Sequence, residues 1–187
     1  MNNNPKISII IPCKNAEKTI QKTFDSIRIQ GYQNLECILV DGNSSDKTMS
    51  IVEDNSDILN IIISEEDKSG AEACNKAIKL STGDIVGFLY ADDYLEKNSL
   101  NEIANSVKKY PDYDIYSYGL SIENLETKKI IFKSFSKKNI DLKLNNILFK
   151  HVLNHFYRRS VFKEYGYLNE LYYDGTVFYS NDREFLI

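Results

Sequence analysis

Short apolar runs alternate with segments of helical periodicity along residues 7–110 of the chain. Four runs rich in β-branched side chains predict buried strands, at residues 7–11, 35–40, 58–63 and 85–90. A segment with apolar residues at helical spacing follows each run, at residues 16–27, 46–53, 71–80 and 99–110. Because strand and helix alternate, we predict an α/β fold with a mostly parallel central sheet and helices on both faces.

The composition is that of a globular domain without a nucleic-acid partner. The chain has 187 residues, of which 42% are hydrophobic and 27% charged, and its net charge of −4 offers no basic face for nucleic acid. The three cysteines have no metal-ligand spacing, so we interpret them as buried thiols. No apolar stretch reaches the roughly 18 residues of a transmembrane segment. We therefore expect a cytoplasmic protein, and peripheral association with the inner face of the membrane stays open.

Carboxylates follow all four predicted strands, at the positions where the apolar runs end. Glu17 follows the first strand, Asp41 the second, Asp67 the third, and the pair Asp92 and Asp93 the fourth. Right-handed crossovers bring the carboxyl ends of parallel strands to one edge of a sheet, where ligands bind. Crowded carboxylates repel each other, and a hard divalent cation with oxygen ligands is their natural partner. The pattern predicts a ligand site at this edge.

The turn after the first strand argues against two common nucleotide sites. Residues 12–17 read Pro-Cys-Lys-Asn-Ala-Glu and contain no glycine. A dinucleotide-binding fingerprint and a P-loop both need a glycine-rich turn at this point. A nucleotide would therefore be held in another way. A nucleotidyltransferase is a weaker alternative, because it would normally want a basic, glycine-rich loop early in the chain.

Four ordered segments resemble the family 2 glycosyltransferases. Residues 8–15 are similar to the family's first strand with its Pro-x-x-Asn turn, and residues 40–48 to Val-Asp-Gly-x-Ser-x-Asp-x-Thr. Residues 64–77 resemble Ser-Glu-x-Asp-x-Gly…Ala-x-Asn-x-Gly, and residues 82–93 resemble Thr-Gly-Asp…Leu-x-x-Asp-Asp. The resemblance implies the GT-A fold and the transfer of a sugar from a nucleotide diphosphate.

The same resemblance implies roles for individual residues. Asp41 would contact the nucleobase, Asp93 would bind a divalent cation, Mn²⁺ or Mg²⁺, and Asp92 would contact the ribose or a metal-bound water. The implied nucleotide-sugar-binding residues are Pro12, Cys13, Asn15, Glu17, Asp41, Asp67, Asn75, Ala91 and Asp92. Oxygen ligands suit Mn²⁺ or Mg²⁺, whereas Zn²⁺ would want histidine or cysteine.

The second half of the chain resembles the family more loosely. Residues 156–162 are similar to Phe-x-Arg-Arg-Ser-x-Phe, and residues 165–170 to Tyr-Gly-x-Phe-Asp-Glu. Asp182 opens an Asp-x-Glu-Phe-Leu segment whose first residue is the catalytic base in the family, which implies the same role for Asp182. The alternative is that Asp182 caps a final helix.

The chain departs from the family pattern at several positions. Ser69 and Ala77 stand where the family often has glycine. His151 and His155 fit the position of the family's histidine only approximately, so both are left out of the predicted site. The sequence stops at Ile187, inside a predicted helix, and we expect the acceptor side to be cut short there.

We expect one glycosyltransferase domain over residues 1–187, with a nucleotide-binding half at 1–95 and an acceptor-side half at 96–187. In the second half, residues 113–118 and 129–135 are interpreted as strands that could pair as a hairpin. Three further elements are predicted there: a helix at 141–151, a strand at 154–157 and a helix at 160–165.

The function that the resemblance implies is an inverting transfer. An acceptor hydroxyl would attack the sugar in a single displacement, so that an α-linked donor gives a β-linked product. The expected partners are a nucleotide-diphosphate sugar donor, with UDP the favoured nucleotide, and a saccharide or lipid-linked acceptor. The alternative is a domain that binds a nucleotide sugar without turning it over.

Overall fold

The computed structural model describes residues 4–119, 121–123, 130–133 and 155–168. In this part of the chain the strands are β1 (Ile7–Cys13), β2 (Leu35–Asp41), β3 (Ile61–Ser64), β4 (Ile85–Phe88), β5 (Ile115–Ser117), β6 (Ser121–Glu123), β7 (Ile130–Lys133) and β8 (His155–Arg158). The α-helices are α1 (Ile20–Arg28), α2 (Thr48–Asp54), α3 (Gly70–Leu80), α4 (Ser99–Lys109) and α5 (Arg159–Tyr165).

A six-stranded sheet with the order β3-β2-β1-β4-β8-β5 forms the centre of the fold. The pairs β1–β2, β1–β4 and β2–β3 are parallel, and β8 lies antiparallel between β4 and β5. The predicted mostly parallel sheet is therefore confirmed. The parallel strands place their carboxyl ends along one edge, which we call the carboxyl edge.

Helices cover both faces of this sheet, as predicted. Successive side chains of a strand point to opposite faces. On β1, Ile9 packs in a core with residues of α1, α2 and α4, whereas Ile10 packs in a second core with residues of α3 and α5. Both isoleucines are fully buried. The continuous apolar run of β1 follows from its two covered faces.

The first four strands differ from their predicted bounds: β2 ends one residue later, at Asp41, β4 ends two residues earlier, at Phe88, and the first and third strands differ as follows. We predicted that Pro12 ends the first strand, but β1 continues to Cys13. This extension pairs with β2 alone, since the pairing with β4 ends at Ile10 opposite Phe88, and a proline is tolerated where a strand lacks a second neighbour. The third strand begins at Ile61 rather than at residue 58, because Ser56–Ile58 forms a 3₁₀ turn.

The second half pairs differently from the prediction. The segment predicted at 129–135 contains β7, but β7 pairs with β6, whereas β5 pairs with β8 in the main sheet. The predicted strand at 154–157 and helix at 160–165 correspond to β8 and α5. The helix predicted at 141–151 lies outside the described residues. None of the helices that the structure describes has the length or the apolar content needed to cross a bilayer.

At the amino ends of the parallel strands, the buried carboxylate Glu36 is the centre of an ionic network. Glu36 accepts hydrogen bonds from Lys6 Nζ (2.9 Å), Ser8 Oγ (2.5 Å) and the Thr82 backbone N–H (2.8 Å). Burial alone would raise the pKa of Glu36, but the hydrogen bonds outweigh it and hold the pKa at about 2. Gly83 is required beside this network, because a Cβ there would lie 2.5 Å from Ser8 Oγ.

We predict that Glu36→Gln lowers the free energy of unfolding by about 2 kcal/mol at pH 7. A lowered native pKa stabilises the fold above the ordinary pKa of 4.5, and this contribution is lost as the pH falls toward 2. The gap between wild type and variant should therefore narrow below about pH 4.5. Urea unfolding at pH 7 and pH 3.5 measures this difference in the free energy of unfolding. Glu53→Gln, at an exposed position, is the control. An equal gap at both pH values would contradict the prediction.

Candidate functional site

The carboxyl edge brings together side chains that are far apart in sequence. Cys13 at the end of β1 lies opposite Asp41 at the end of β2. On the other side of β1, β4 runs parallel to it and leads into the turn that carries Asp92 and Asp93. Two strand spacings, about 10 Å, therefore separate the end of β2 from the end of β4. The strand ends that precede these acidic residues therefore lie along one edge of the sheet, as predicted.

Asp41 is fully buried, and its carboxylate is held by neighbouring donors. Oδ2 accepts from the Ser44 backbone N–H (3.0 Å) and from Ser64 Oγ (2.7 Å). Oδ1 accepts from the Ser44 hydroxyl and lies 3.7 Å from Cys13 Sγ. The carboxylate that we predicted to contact a nucleobase is thus used, in this structure, to fix the loop that follows β2.

Asn15 and Glu17 join the loop after β1 to the loop after β2. The Asn15 N–H donates to Ser44 Oγ (2.8 Å), and Asn15 Oδ1 accepts from the Ser45 N–H (2.9 Å). Asn15 adopts a left-handed backbone with φ of 51°, which asparagine tolerates better than most residues. Glu17 Oε2 accepts from the Lys47 N–H (3.0 Å). Both predicted site residues therefore hold the two loops together at the carboxyl edge.

The remaining predicted residues around β1 and β4 are buried. Pro12, Cys13 and Ala91 are each buried, and Cys13 and Ala91 retain only 8% and 5% of their exposure. Burial, together with the nearby Asp41 carboxylate, raises the pKa of the Cys13 thiol well above its ordinary value. Cys13 is therefore a protonated thiol at neutral pH. These three residues are part of the buried interior next to the carboxyl edge.

Asp67 and Lys76 form an ion pair that the sequence analysis did not assign. Lys76 Nζ lies 2.6 Å from Asp67 Oδ1 and 2.7 Å from Glu65 Oε1. Hydrogen bonds to Asp67 and then to Glu65 raise the pKa of Lys76. Asp67 Oδ2 is buried and has no hydrogen-bond partner among the described residues. A buried acceptor without a partner is costly, so this oxygen is suited to a ligand donor.

Lys76 could have been found from the sequence by a charge argument. The crowded carboxylates predicted at this edge require a positive partner. Lys76 follows Asn75 in the segment that resembles the family, at a position on α3 from which it reaches back to the start of the helix. A search for metal ligands alone does not find this lysine, because a lysine ammonium has no lone pair to offer a metal ion.

The turn after β4 leaves Asp92 and Asp93 exposed. Its backbone is anchored, because Thr23 Oγ1 on α1 donates to the Asp93 carbonyl (2.7 Å) and the Asp93 N–H donates to the Tyr90 carbonyl (3.0 Å). The described residues contain no group of three or more histidine, cysteine or carboxylate side chains arranged for a metal. Mg²⁺ in nucleotide enzymes commonly takes one or two carboxylates and completes its shell with phosphate oxygens and water. The exposed pair fits such a donor set.

Asn75 is not at the surface of the edge. It is 5% exposed, and its side chain bonds to the backbone of Leu168. The predicted base, Asp182, lies outside the described residues, so its position is not part of this geometry.

Comparison with known proteins gives a consistent family match. The family model described as Glycosyl transferase family 2 matches residues 8–166. The Escherichia coli protein named UDP-Glc:alpha-D-GlcNAc-diphosphoundecaprenol beta-1,3-glucosyltransferase WfgD is 31% identical over 170 residues, covering 87% of this chain and 67% of that protein. The amylovoran biosynthesis glycosyltransferase AmsB of Erwinia amylovora is 37% identical over 107 residues, covering 54% of this chain and 36% of that protein.

Solved structures share the fold. S. aureus TarS 1-349 in complex with UDP-GlcNAc superposes with a TM-score of 0.69 at 26% identity, covering 86% of this chain and 47% of TarS. The mannosyltransferase PcManGT from Pyrobaculum calidifontis, in complex with GDP-Man and Mn²⁺, gives a TM-score of 0.63 at 22% identity, which supports the fold alone. The chain spans about half the length of these two structures.

We predict that Ser64→Ala lowers the free energy of unfolding by about 1–2 kcal/mol. The change removes one hydroxyl donor from the fully buried Asp41 carboxylate, and the loss of a hydrogen bond to a charged acceptor costs about this much. Urea unfolding at pH 7 measures the loss. Ser50→Ala, an exposed site on α2, is the matched control and should change stability by less than about 0.5 kcal/mol. Equal effects of the two substitutions would show that the Ser64 bond contributes nothing.

Proposed function

Because this chain belongs to glycosyl transferase family 2, we propose that it transfers a sugar from a UDP-sugar to an acceptor hydroxyl with inversion at the anomeric carbon. The acceptor is a saccharide or a lipid-linked saccharide. The names of relatives support these choices. WfgD is named for UDP-Glc and for a diphosphoundecaprenol acceptor, and one TarS structure contains UDP-GlcNAc. A lipid-linked acceptor would bring the protein to the inner face of the membrane.

The observation that carries the proposal is the composition of the carboxyl edge. Asp67 offers a buried oxygen without a partner, and the pair Asp92 and Asp93 offers exposed carboxylates on the far side of β1. The first suits a hydroxyl or N–H donor of a nucleotide sugar, and the second suits a cation on a diphosphate. A nucleotide sugar carries both kinds of group, because hydroxyl and N–H donors lie on its base, ribose and sugar and the diphosphate lies between the ribose and the sugar.

In the proposed mechanism Asp93 would hold a Mn²⁺ or Mg²⁺ ion, and Asp92 would contact the ribose or a metal-bound water. When bound, the ion would neutralise charge on the diphosphate leaving group. The loops joined by Asn15 and Glu17 orient the nucleotide against β1 and β2. Asp182 accepts the proton of the acceptor hydroxyl as that oxygen attacks the sugar from the face opposite the diphosphate. The sugar–phosphate bond breaks as the new glycosidic bond forms, so an α-linked donor gives a β-linked product.

The alternative proposal is a domain that binds a nucleotide sugar without turnover. A thermal-shift screen of UDP and UDP-sugars, with and without Mn²⁺, detects donor binding because a ligand of the native state raises the melting temperature. Assay of donor hydrolysis and of transfer to saccharide acceptors then separates the two proposals. Binding without either reaction would favour the binding domain.

We predict that Asp93→Ala abolishes metal-dependent transfer and leaves the melting temperature without ligand unchanged. Asp93 is exposed, so its removal opens no cavity. Transfer rate as a function of Mn²⁺ concentration measures the effect. Asp112→Ala, an exposed carboxylate after α4, is the control and should keep wild-type activity. Near-normal turnover of the Asp93 variant would remove the proposed metal role.

We predict that Asp182→Asn transfers sugar at least about a hundredfold more slowly while it binds UDP with unchanged affinity. The amide keeps the shape of the carboxylate but cannot take the acceptor proton. Single-turnover rates and UDP titration calorimetry measure the two properties separately. Loss of UDP affinity together with activity would assign Asp182 to structure or donor binding instead of proton transfer.

A further inference from the structure

The side chain of Asn75 forms two hydrogen bonds with the backbone of a residue 93 positions away. Its Nδ2 donates to the Leu168 carbonyl, and its Oδ1 accepts from the Leu168 N–H, both at 2.9 Å. Both residues are 5% exposed. Such a pairing satisfies two buried backbone groups at a point outside any helix or strand, so it fixes the position of the main chain there. We call this pair of bonds the Asn75–Leu168 clamp.

The segment that carries Leu168 contacts α3 at two neighbouring positions. Lys79 Nζ lies 5.2 Å from the centre of the Tyr167 ring, and Asn75, one turn nearer the start of α3, binds Leu168. The start of α3 follows β3 and therefore lies at the carboxyl edge. Two consecutive residues of the second half, Tyr167 and Leu168, therefore contact α3. Gly166, with φ of 93°, makes the turn from α5 into this segment.

The next residue of α3 holds the other side of the site. Lys76 pairs with Asp67 and Glu65 in the loop before α3. Adjacent positions of one helix therefore fix the acidic loop of the first half and the backbone of the second half. A helix is rigid over two residues, so the distance between these two segments is set by α3.

We propose that Asn75 is a positioning residue, which holds the chain around Leu168 in register with the Asp67 loop and so aligns the acceptor side with the bound donor. The inference rests on the proposed function for its consequence in catalysis. It differs from the role implied by the family resemblance, in which Asn75 binds the nucleotide sugar directly. The two roles predict different donor affinities for a variant at position 75: unchanged for a positioning residue and weakened for a donor ligand.

The test compares Asn75→Ala with Asn101→Ala, which removes an amide that bonds within its own turn at the start of α4. For Asn75→Ala we expect the Kd for UDP to stay within about threefold of wild type and the transfer rate at saturating donor to fall roughly a hundredfold, as for a small misplacement of reacting groups. Hydrogen exchange at the Leu168 amide should accelerate at least about tenfold. Asn101→Ala should match wild type in all three measurements.

Asn75→Leu is a second, neutral variant, which leaves no cavity and adds no buried charge. Leucine branches at the same position as asparagine, but it has neither a donor nor an acceptor for the backbone of Leu168. We expect the same pattern, an unchanged Kd for UDP with slower transfer, and faster exchange at Leu168.

A Kd for UDP raised tenfold or more, with unchanged exchange at Leu168, would overturn the proposal and make Asn75 a donor ligand. Unchanged transfer in both Asn75 variants would overturn it as well. If the wild-type protein binds UDP and transfers nothing, the proposed function fails. The hydrogen-exchange rate at the Leu168 amide then still tests whether Asn75 holds the backbone there.

Discussion

The burial of the Asp41 carboxylate is the constraint on which the carboxyl edge depends. A buried charge without partners is strongly unfavourable, so the surrounding loop must supply donors. Ser44 supplies its backbone N–H and its hydroxyl, and Ser64 supplies a second hydroxyl from the end of β3. The Ser44 hydroxyl also accepts from the Asn15 N–H, which ties the loop after β1 to the same point. One carboxylate thereby fixes the ends of three neighbouring strands.

Helix α3 extends this order from the first half of the chain to the second. Its Ser69 N-cap accepts from the Glu72 N–H and starts the helix directly after the acidic loop. Asn75 and Lys76 then bind segments on either side of the helix. The described part of the second half is thus held by contacts with α3 in addition to the pairing of β8 with β4.

The sequence predicted the parts of the fold that follow from local pattern. Buried β-branched runs predicted β1, β2 and β4, since a strand covered on both faces leaves no alternation of polar residues. The convergence of their ends also follows, because parallel strands with right-handed crossovers share one carboxyl edge. The family match confirms the resemblance that the motifs around Asp41, Asp67 and Asp93 carried.

Contacts between distant segments could not be predicted in this way. No local signal states that β8 inserts antiparallel beside β4, and the pairing depends on Gly87, where a Cβ would lie 2.3 Å from the Phe156 ring. The partner of Asn75 is equally hidden, since an asparagine in a helical pattern is compatible with solvent, a ligand or a backbone clamp. Pairs of this kind require the three-dimensional arrangement of both halves.

The acidic residues at the carboxyl edge have three different kinds of surroundings, which the sequence pattern did not distinguish. Asp41 is satisfied by hydroxyl and backbone donors, Asp67 shares Lys76 with Glu65, and Asp92 and Asp93 face solvent. Asp41 and Asp67 therefore have donors of their own, and the balance of charge at the edge does not require a cation at either residue. This division leaves the exposed pair as the carboxylates that a cation and a diphosphate could approach without breaking an internal bond of Asp41 or Asp67. The buried residues instead shape the edge against which a nucleotide would lie.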